Sequence, residues 1–151
     1  MPPGSTDKSM SEPLQFHYDV AGGDFSSAGE ASVQVKKLLR KMGFPPELMG
    51  RISIAMYEGE INMVIHANGG VADVYVDDEQ VLVRLEDTGP GIADVEAAMQ
   101  EGFSTAKDNV RTLGFGAGMG LPNMKRYSDE MHIESQSGVG TTVTVRIRIP
   151  Q

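Results

Sequence analysis

The sequence contains no cysteine. That absence excludes a disulfide framework and any thiolate-held metal, and it fits a reducing compartment. An apolar run of membrane-spanning length is also missing, and the first residues, MPPGSTDKSMSEP, are polar and proline-bearing with no signal-peptide core. Both lacks point to a cytoplasmic protein with no membrane partner. Basic residues are sparse and scattered: 13 Lys and Arg stand against 21 Asp and Glu, a formal charge of -8. The electrostatic footprint of a nucleic-acid binder is therefore absent. The only histidines are His17, His66 and His132, and no H-E-x-x-H pattern occurs, which argues against zinc.

What the sequence does contain is enough for one core. At 151 residues and 40% hydrophobic it fits a single domain without staples. Residues 1–13 read as a disordered segment and residues 14–151 as the domain. Leu14 to Val20 alternates as a strand, and Gly22-Gly23 turns the chain. Ser27-Ala-Gly-Glu30 has the form of a capping box, and Ala31, Val35, Leu38, Leu39 and Met42 then recur at helical spacing. These predict a helix over Ser27–Met42. Pro46 suits the first position of a second helix, stopped at Asn68-Gly69-Gly70. Val71–Val76 and Val81–Glu86 predict a hairpin across Asp77-Asp78-Glu79.

A short helix over Ala93–Gln100 and a long aperiodic stretch, Gly102–Phe115, come next; loops of that length inside compact domains are commonly functional. The spacing then predicts a helix over Met119–Ser128 and a strand over Met131–Ser135. Ser137-Gly-Val-Gly140 turns into a last strand with Val143, Val145, Ile147 and Ile149 on one face and Thr142, Thr144, Arg146 and Arg148 on the other. One covered and one wet sheet face predict an α+β two-layer sandwich, a mixed, largely antiparallel sheet with helices on one side.

Chemistry concentrates in three places. Phe115-Gly-Ala-Gly-Met-Gly-Leu-Pro122 opens the last predicted helix. It fits neither the dinucleotide fingerprint, which fails in every register, nor the P-loop, since the chain has no Gly-Lys pair. Glycines that let the backbone approach an anion, at a helix N-terminus, still allow phosphate binding; a hinge or a packing contact is the plainer alternative.

The second helix is apolar around most of its circumference, with two polar stripes. Ser53 and Glu60 form one, read as a solvent edge. Arg51, Glu58, Asn62 and His66 form the other, with Ala55 and Gly59 keeping the surface low. Glu58, Asn62 and His66 stand i, i+4, i+8, so they stack along one face. So apolar a helix needs one wet edge, and the second stripe suits a site. The alternative is that the Glu58 stripe is the wet edge and Glu60 is paired elsewhere. A carboxylate and an amide one turn apart suit Mg²⁺, which takes few protein oxygens and completes its shell with water and phosphates. His66 by itself reads as a hydrogen-bonded structural residue.

Asp87-Thr-Gly-Pro-Gly91 follows a strand. An Asp held by a glycine turn can accept from an exocyclic amine such as that of adenine, though taken alone the stretch reads better as an ordinary tight turn with Pro90. Gly102-Phe-Ser-Thr-Ala106 lacks the last glycine of a nucleophile elbow and is set aside.

Glu58-x-x-x-Asn62-x-x-x-His66, Asp87-x-Gly89-x-Gly91, Gly116-x-Gly118-x-Gly120-Leu121 and Gly140-Thr141-Thr142 together, in this order and spacing, resemble the nucleotide-binding boxes of the GHKL superfamily of gyrase, heat-shock chaperone, histidine kinase and mismatch-repair ATPases. Within it, EDTGPGIADVEAAMQEGFSTA and GAGMGLPNMKRYSDEMHIESQSGVGTT look most like the single-domain anti-sigma-factor and stress-switch serine/threonine kinases. The resemblance implies a Bergerat-type, histidine-kinase-like ATPase fold with ATP and Mg as cofactors. It makes Glu58 the general base and Asn62 the Mg²⁺ ligand. It puts Asn62, His66, Asp87, Gly89, Gly91, Gly116, Gly118, Met119, Gly120, Leu121 and Thr141 around the nucleotide, under a lid at Ser104–Phe115 on which Lys107 or Arg111 could neutralise charge. No helix pair bearing an acceptor His accompanies these boxes. The phosphoacceptor is expected on a regulatory partner, such as a sigma factor or an anti-sigma antagonist, and a homodimer is compatible. Three functions remain open: a serine/threonine kinase, a non-catalytic ATP-dependent binding switch, and a detached histidine-kinase-like catalytic domain acting in trans.

Overall fold

The computed structural model of the chain describes residues 13–23, 26–67, 69–92, 99 and 120–150. They form five strands and three helices: β1 (Leu14–Ala21), α1 (Glu30–Lys41), α2 (Pro46–His66), β2 (Gly69–Val76), β3 (Gln80–Asp87), α3 (Gly120–Tyr127), β4 (Glu130–Gln136) and β5 (Gly140–Arg148). The strands make one sheet in the order β1-β2-β3-β5-β4. Every pairing in it is antiparallel, so the sheet is narrower in type than the mixed one expected. The predicted helix over Ala93–Gln100 and the predicted lid fall outside the described residues, apart from Met99.

Alternation decides which sheet face is covered. Ala72, Val74 and Val76, then Val81, Val83 and Leu85, then Val143, Val145 and Ile147 are buried from adjacent strands and share one cluster with Leu39, Ile52, Met56 and Met124 of the helices. Each Val, Leu, Ile or Met among them contributes about 1.5–3 kcal/mol on leaving water. The other face is polar, and one row across it runs His17, Asp73, Arg84, Thr144 and His132 in register. His17 Nδ1 and Asp73 Oδ1 lie 2.7 Å apart, tying the edge strand to its neighbour, and this hydrogen bond raises the imidazole above its ordinary pKa.

Helix α2 starts as its sequence suggests: Pro45 is extended at φ -62, ψ 146, and Pro46 supplies a preset φ where no N–H is needed. It ends earlier than expected, at His66, because Gly69 and Gly70 already belong to β2. Its apolar circumference reflects three neighbours, the sheet, α1 and α3. Ala55 and Gly59, read as keeping a polar surface low, are core positions instead. A Cβ at Gly59 would stand 2.8 Å from Leu85 Cδ1 and 2.9 Å from Met124 Cε, so the missing side chain lets α2 settle between sheet and α3.

The start of α1 corrects the capping-box reading. The helix begins at Glu30 rather than Ser27, and its N-cap is Gly29 at φ 91, with no side-chain cap from its own segment. Only glycine adopts that left-handed conformation without strain, and a Cβ there would also press on the Tyr57 ring at 2.8 Å. The cap comes from α2. Glu60 Oε2 accepts from the Gly29 and Ala31 N–H groups at 3.0 and 3.1 Å, and Oε1 from the Ser32 N–H and hydroxyl at 3.0 and 2.7 Å. Glu60 is 2% exposed, so the stripe read as a solvent edge is a buried strut. An anion at a helix N-terminus with all its acceptors used meets the condition for burying a carboxylate.

Candidate functional site

With Glu60 committed to α1, the other stripe of α2 is free to serve a site, and α3 is the element facing it. The two helices run antiparallel along matched positions. Gly120 lies against Asn62, where a Cβ would come within 2.8 Å of Oδ1 and 2.9 Å of Nδ2. One turn along, Asn123 Nδ2 donates to Glu58 Oε2 at 2.8 Å. Met124 covers Gly59. At the far end Arg51 Nε donates to the Tyr127 carbonyl at 3.3 Å, and its guanidinium meets Asp129 at 3.4 Å. The Arg148 N–H, with help from Arg51, holds the Asp129 carboxyl below the usual range. Helix α3 is thus pinned at both ends to the stripe that carries Glu58 and Asn62.

Glu58, Asn62 and Asn123 are all half-buried. His66 is half-buried at the end of α2, and desolvation lowers its imidazole pKa, which favours the neutral ring. Leu121 is 8% exposed and joins the core, so only its backbone can face a ligand. Gly116, Gly118 and Met119, expected around the phosphates, lie outside the described residues, as do Lys107 and Arg111.

The Asp87 turn closes the other end. Asp87 Oδ1 accepts from the Gly89 N–H at 2.9 Å and the Thr141 N–H at 3.2 Å. Both bonds use one oxygen, and among the described residues the second is left for a ligand. Gly89 packs where a Cβ would strike Ala67 at 2.6 Å, seating the turn on the end of α2. Gly91, at φ 79, allows no Cβ either, because the Gln136 carbonyl would lie 2.4 Å away. Thr141, 7% exposed, shares a 2.8 Å hydrogen bond with Ser135, whose hydroxyl also accepts the Ile92 N–H at 2.7 Å. Asp87, Gly89, Gly91 and Thr141 therefore do come together. Ser135 and Asn123 are the members that sequence reading missed. Asn123 stands three residues after Gly120, on the same helical face, which is the signal that could have found it.

Helix α2 spaces the two halves. From Glu58 to His66, the last helical residue before Ala67 and the Gly89 turn, is about 12 Å of helix. Among the described residues no three His, Cys, Asp or Glu side chains group so as to hold a metal by themselves. No helix among them is long and apolar enough to cross a membrane.

A helix-backed antiparallel sheet with polar residues aligned between two helices and a glycine-held Asp defines an α+β domain of the ATPase type. Residues 47–151 match the family described as histidine kinase-, DNA gyrase B- and HSP90-like ATPase. The chain belongs to that family. It is 33% identical over 116 residues to the serine/threonine-protein kinase RsbT of Bacillus subtilis, covering 72% of this chain and 78% of that one. An anti-sigma F factor from Caldanaerobacter subterraneus is 35% identical over 102 residues, 64% of this chain and 68% of the relative. Among solved structures, the RsbU and RsbW domains of Rv1364c from Mycobacterium tuberculosis share the fold, at a TM-score of 0.60 and 18% identity, over 91% of this chain and 33% of that one.

Proposed function

We propose that this chain is an ATP-dependent serine/threonine protein kinase of the anti-sigma regulatory type, acting in the cytoplasm on a small regulatory protein. The observation that carries this reading is the α2–α3 pairing, which sets the Glu58 carboxylate one turn from the Asn62 amide, against the start of α3. Kinship with a serine/threonine kinase and with anti-sigma factors supports it.

The residues present fit the nucleotide and its metal. Asn62 offers an amide oxygen, and among the described residues no cluster of His, Asp and Glu forms a metal cage, which suits Mg²⁺ held mainly by phosphates and water. When bound, Mg²⁺ would neutralise charge on the phosphates. Asp87 accepts from the adenine amino group through Oδ2, while the Gly89 and Thr141 N–H groups hold Oδ1 and Ser135 holds Thr141. The backbone at Gly120 and Leu121 meets the phosphates at a helix N-terminus. Glu58 takes the proton of the partner's hydroxyl as its oxygen bonds to the γ-phosphorus and the β–γ bridging bond breaks, leaving ADP. Little covalent chemistry falls to the protein, so positioning carries most of the rate.

Mg-ATP at a hundredfold over Kd is expected to stabilise the chain by about 2.7 kcal/mol. At roughly 2–4 °C per kcal/mol for a chain of this size, the melting temperature rises by about 5–10 °C. GTP should give no comparable shift, and an equal one would remove the adenine assignment; NAD, which carries adenine but no triphosphate, should also give less, and an equal shift with it would remove the triphosphate assignment. Radiolabel from ATP should then pass to a co-purified partner as acid-stable phosphate. Acid-labile label would indicate a histidine acceptor, and nucleotide-dependent binding without label would indicate a switch.

Gly120→Ala tests the phosphate half separately. The new methyl displaces only the end of the Asn62 side chain, so stability should stay within about 1 kcal/mol of wild type, alanine being the better helix former. The displaced amide should weaken Mg-ATP about tenfold, a loss of roughly 1.4 kcal/mol measurable by calorimetry. Unchanged affinity would place the metal elsewhere.

A further inference from the structure

We infer that Asn123 is a positioning residue for Glu58, an assignment that rests on the kinase reading and adds a part to it. An ionised carboxylate only accepts hydrogen bonds, so the partner 2.8 Å from Glu58 Oε2 must present its NH₂ group, as Asn123 Nδ2 does. That bond occupies one oxygen and stops the carboxylate from turning about its last torsion, which is otherwise broad. Among the described residues Oε1 accepts no bond, which leaves it as the atom that meets the substrate hydroxyl. A neutral amide suits the task, since a lysine or arginine here would pair with the carboxylate and compete for its proton-accepting role.

The placement of Asn123 adds a second consequence. It stands one turn from Gly120 on α3, and Gly120 rests on the Asn62 amide. One rigid turn of helix therefore touches the base at one end and the expected metal ligand at the other. Orientation of Glu58 and seating of the phosphate-facing turn are set by the same element. Half-burial of Glu58 and Asn123 keeps the bond from being freely exchanged for water.

A positioning residue acts through its client, so its effect must vanish when the client is gone. Using the full chain, Asn123→Ala should lower kcat for phosphoryl transfer from Mg-ATP to the co-purified partner by roughly 10- to 100-fold, the scale of a misplaced catalytic group. The Kd for Mg-ATP should stay within about twofold and the melting temperature within a few degrees. Asn123→Asp, which sets a carboxylate against Glu58, should lower kcat further, and Asn123→Ser, which keeps a short donor, should recover part of the alanine loss. In a Glu58→Gln background, Asn123→Ala should add nothing. The same factor lost in both backgrounds, or a parallel loss of affinity and stability, would make Asn123 structural and overturn the inference. If Glu58→Gln abolishes turnover and Asn123→Ala leaves it untouched, the inference falls alone. If Glu58→Gln leaves turnover untouched, the base reading falls. A ¹⁵N spectrum decides the contact without turnover: the Asn123 side-chain amide pair should shift in Glu58→Gln, and an unmoved pair would refute the bond.

Discussion

Glu58→Gln is expected to abolish phosphoryl transfer to the partner while Mg-ATP still binds. General-base assistance is worth about 10²- to 10⁴-fold, so the variant should lose roughly 3–5 kcal/mol of transition-state stabilisation. Glutamine keeps the size of the side chain and a carbonyl oxygen, so the Asn123 NH₂ retains an acceptor and α2–α3 packing survives. Affinity for Mg-ATP should therefore change by no more than about threefold, or roughly 0.6 kcal/mol. Quantitative transfer of ³²P to the purified partner, beside calorimetric titration with Mg-ATP, separates the two effects. Wild-type transfer by the glutamine variant would rule Glu58 out as the base. A collapse of nucleotide affinity instead would move the residue's role from chemistry to binding.

Glu60→Ala should have the largest effect on stability. It strips four donors at the start of α1 of their acceptor, in a place only 2% exposed, and water cannot replace the carboxylate without a cavity. Hydrogen bonds to a charged group contribute about 1.5–3 kcal/mol each and do not add fully, which puts the expected loss at roughly 3–5 kcal/mol. At about 2–4 °C per kcal/mol, the melting temperature should fall by roughly 6–20 °C. Glu60→Gln should recover little, because its NH₂ group would face donors. Ser32→Ala removes one of the four donors and leaves the carboxylate in place, so about 1 kcal/mol is expected. Thermal and urea unfolding of the three variants give the ranking, and a Glu60→Ala variant within 1 kcal/mol of wild type would refute the strut.

The two carboxylates show what could and could not be read from the chain. Periodicity located α2, its proline start and its two polar stripes, and the spacing of Glu58 and Asn62 marked a face that does meet α3. Which stripe was wet was beyond it. The partner of Glu60 lies about thirty residues upstream in sequence, at Gly29 to Ser32, and a local pattern cannot report a long-range bond. The same limit explains the misread start of α1. Ser27 and Glu30 have the spacing of a capping box, yet the left-handed Gly29 and the reach of Glu60 supply the cap from another helix. The alternating strands were legible almost residue by residue, since a period of two is set by the pleat alone. Asp87, Gly89 and Gly91 were legible as a turn. Their purpose depends on Ala67, Gln136 and Thr141, which only the folded chain brings to them.

Glu58 and Glu60 also share a single helical register. An inserted or deleted residue upstream of them in α2 would turn both by about 100° against their neighbours. The one that faces α3 would lose its amide partner, and the one beneath α1 would strand a charge in the core. Mutational drift in this helix is thus filtered by folding before it is filtered by signalling. A lineage that slips the register loses the buried strut and the carboxylate–amide bond in one step.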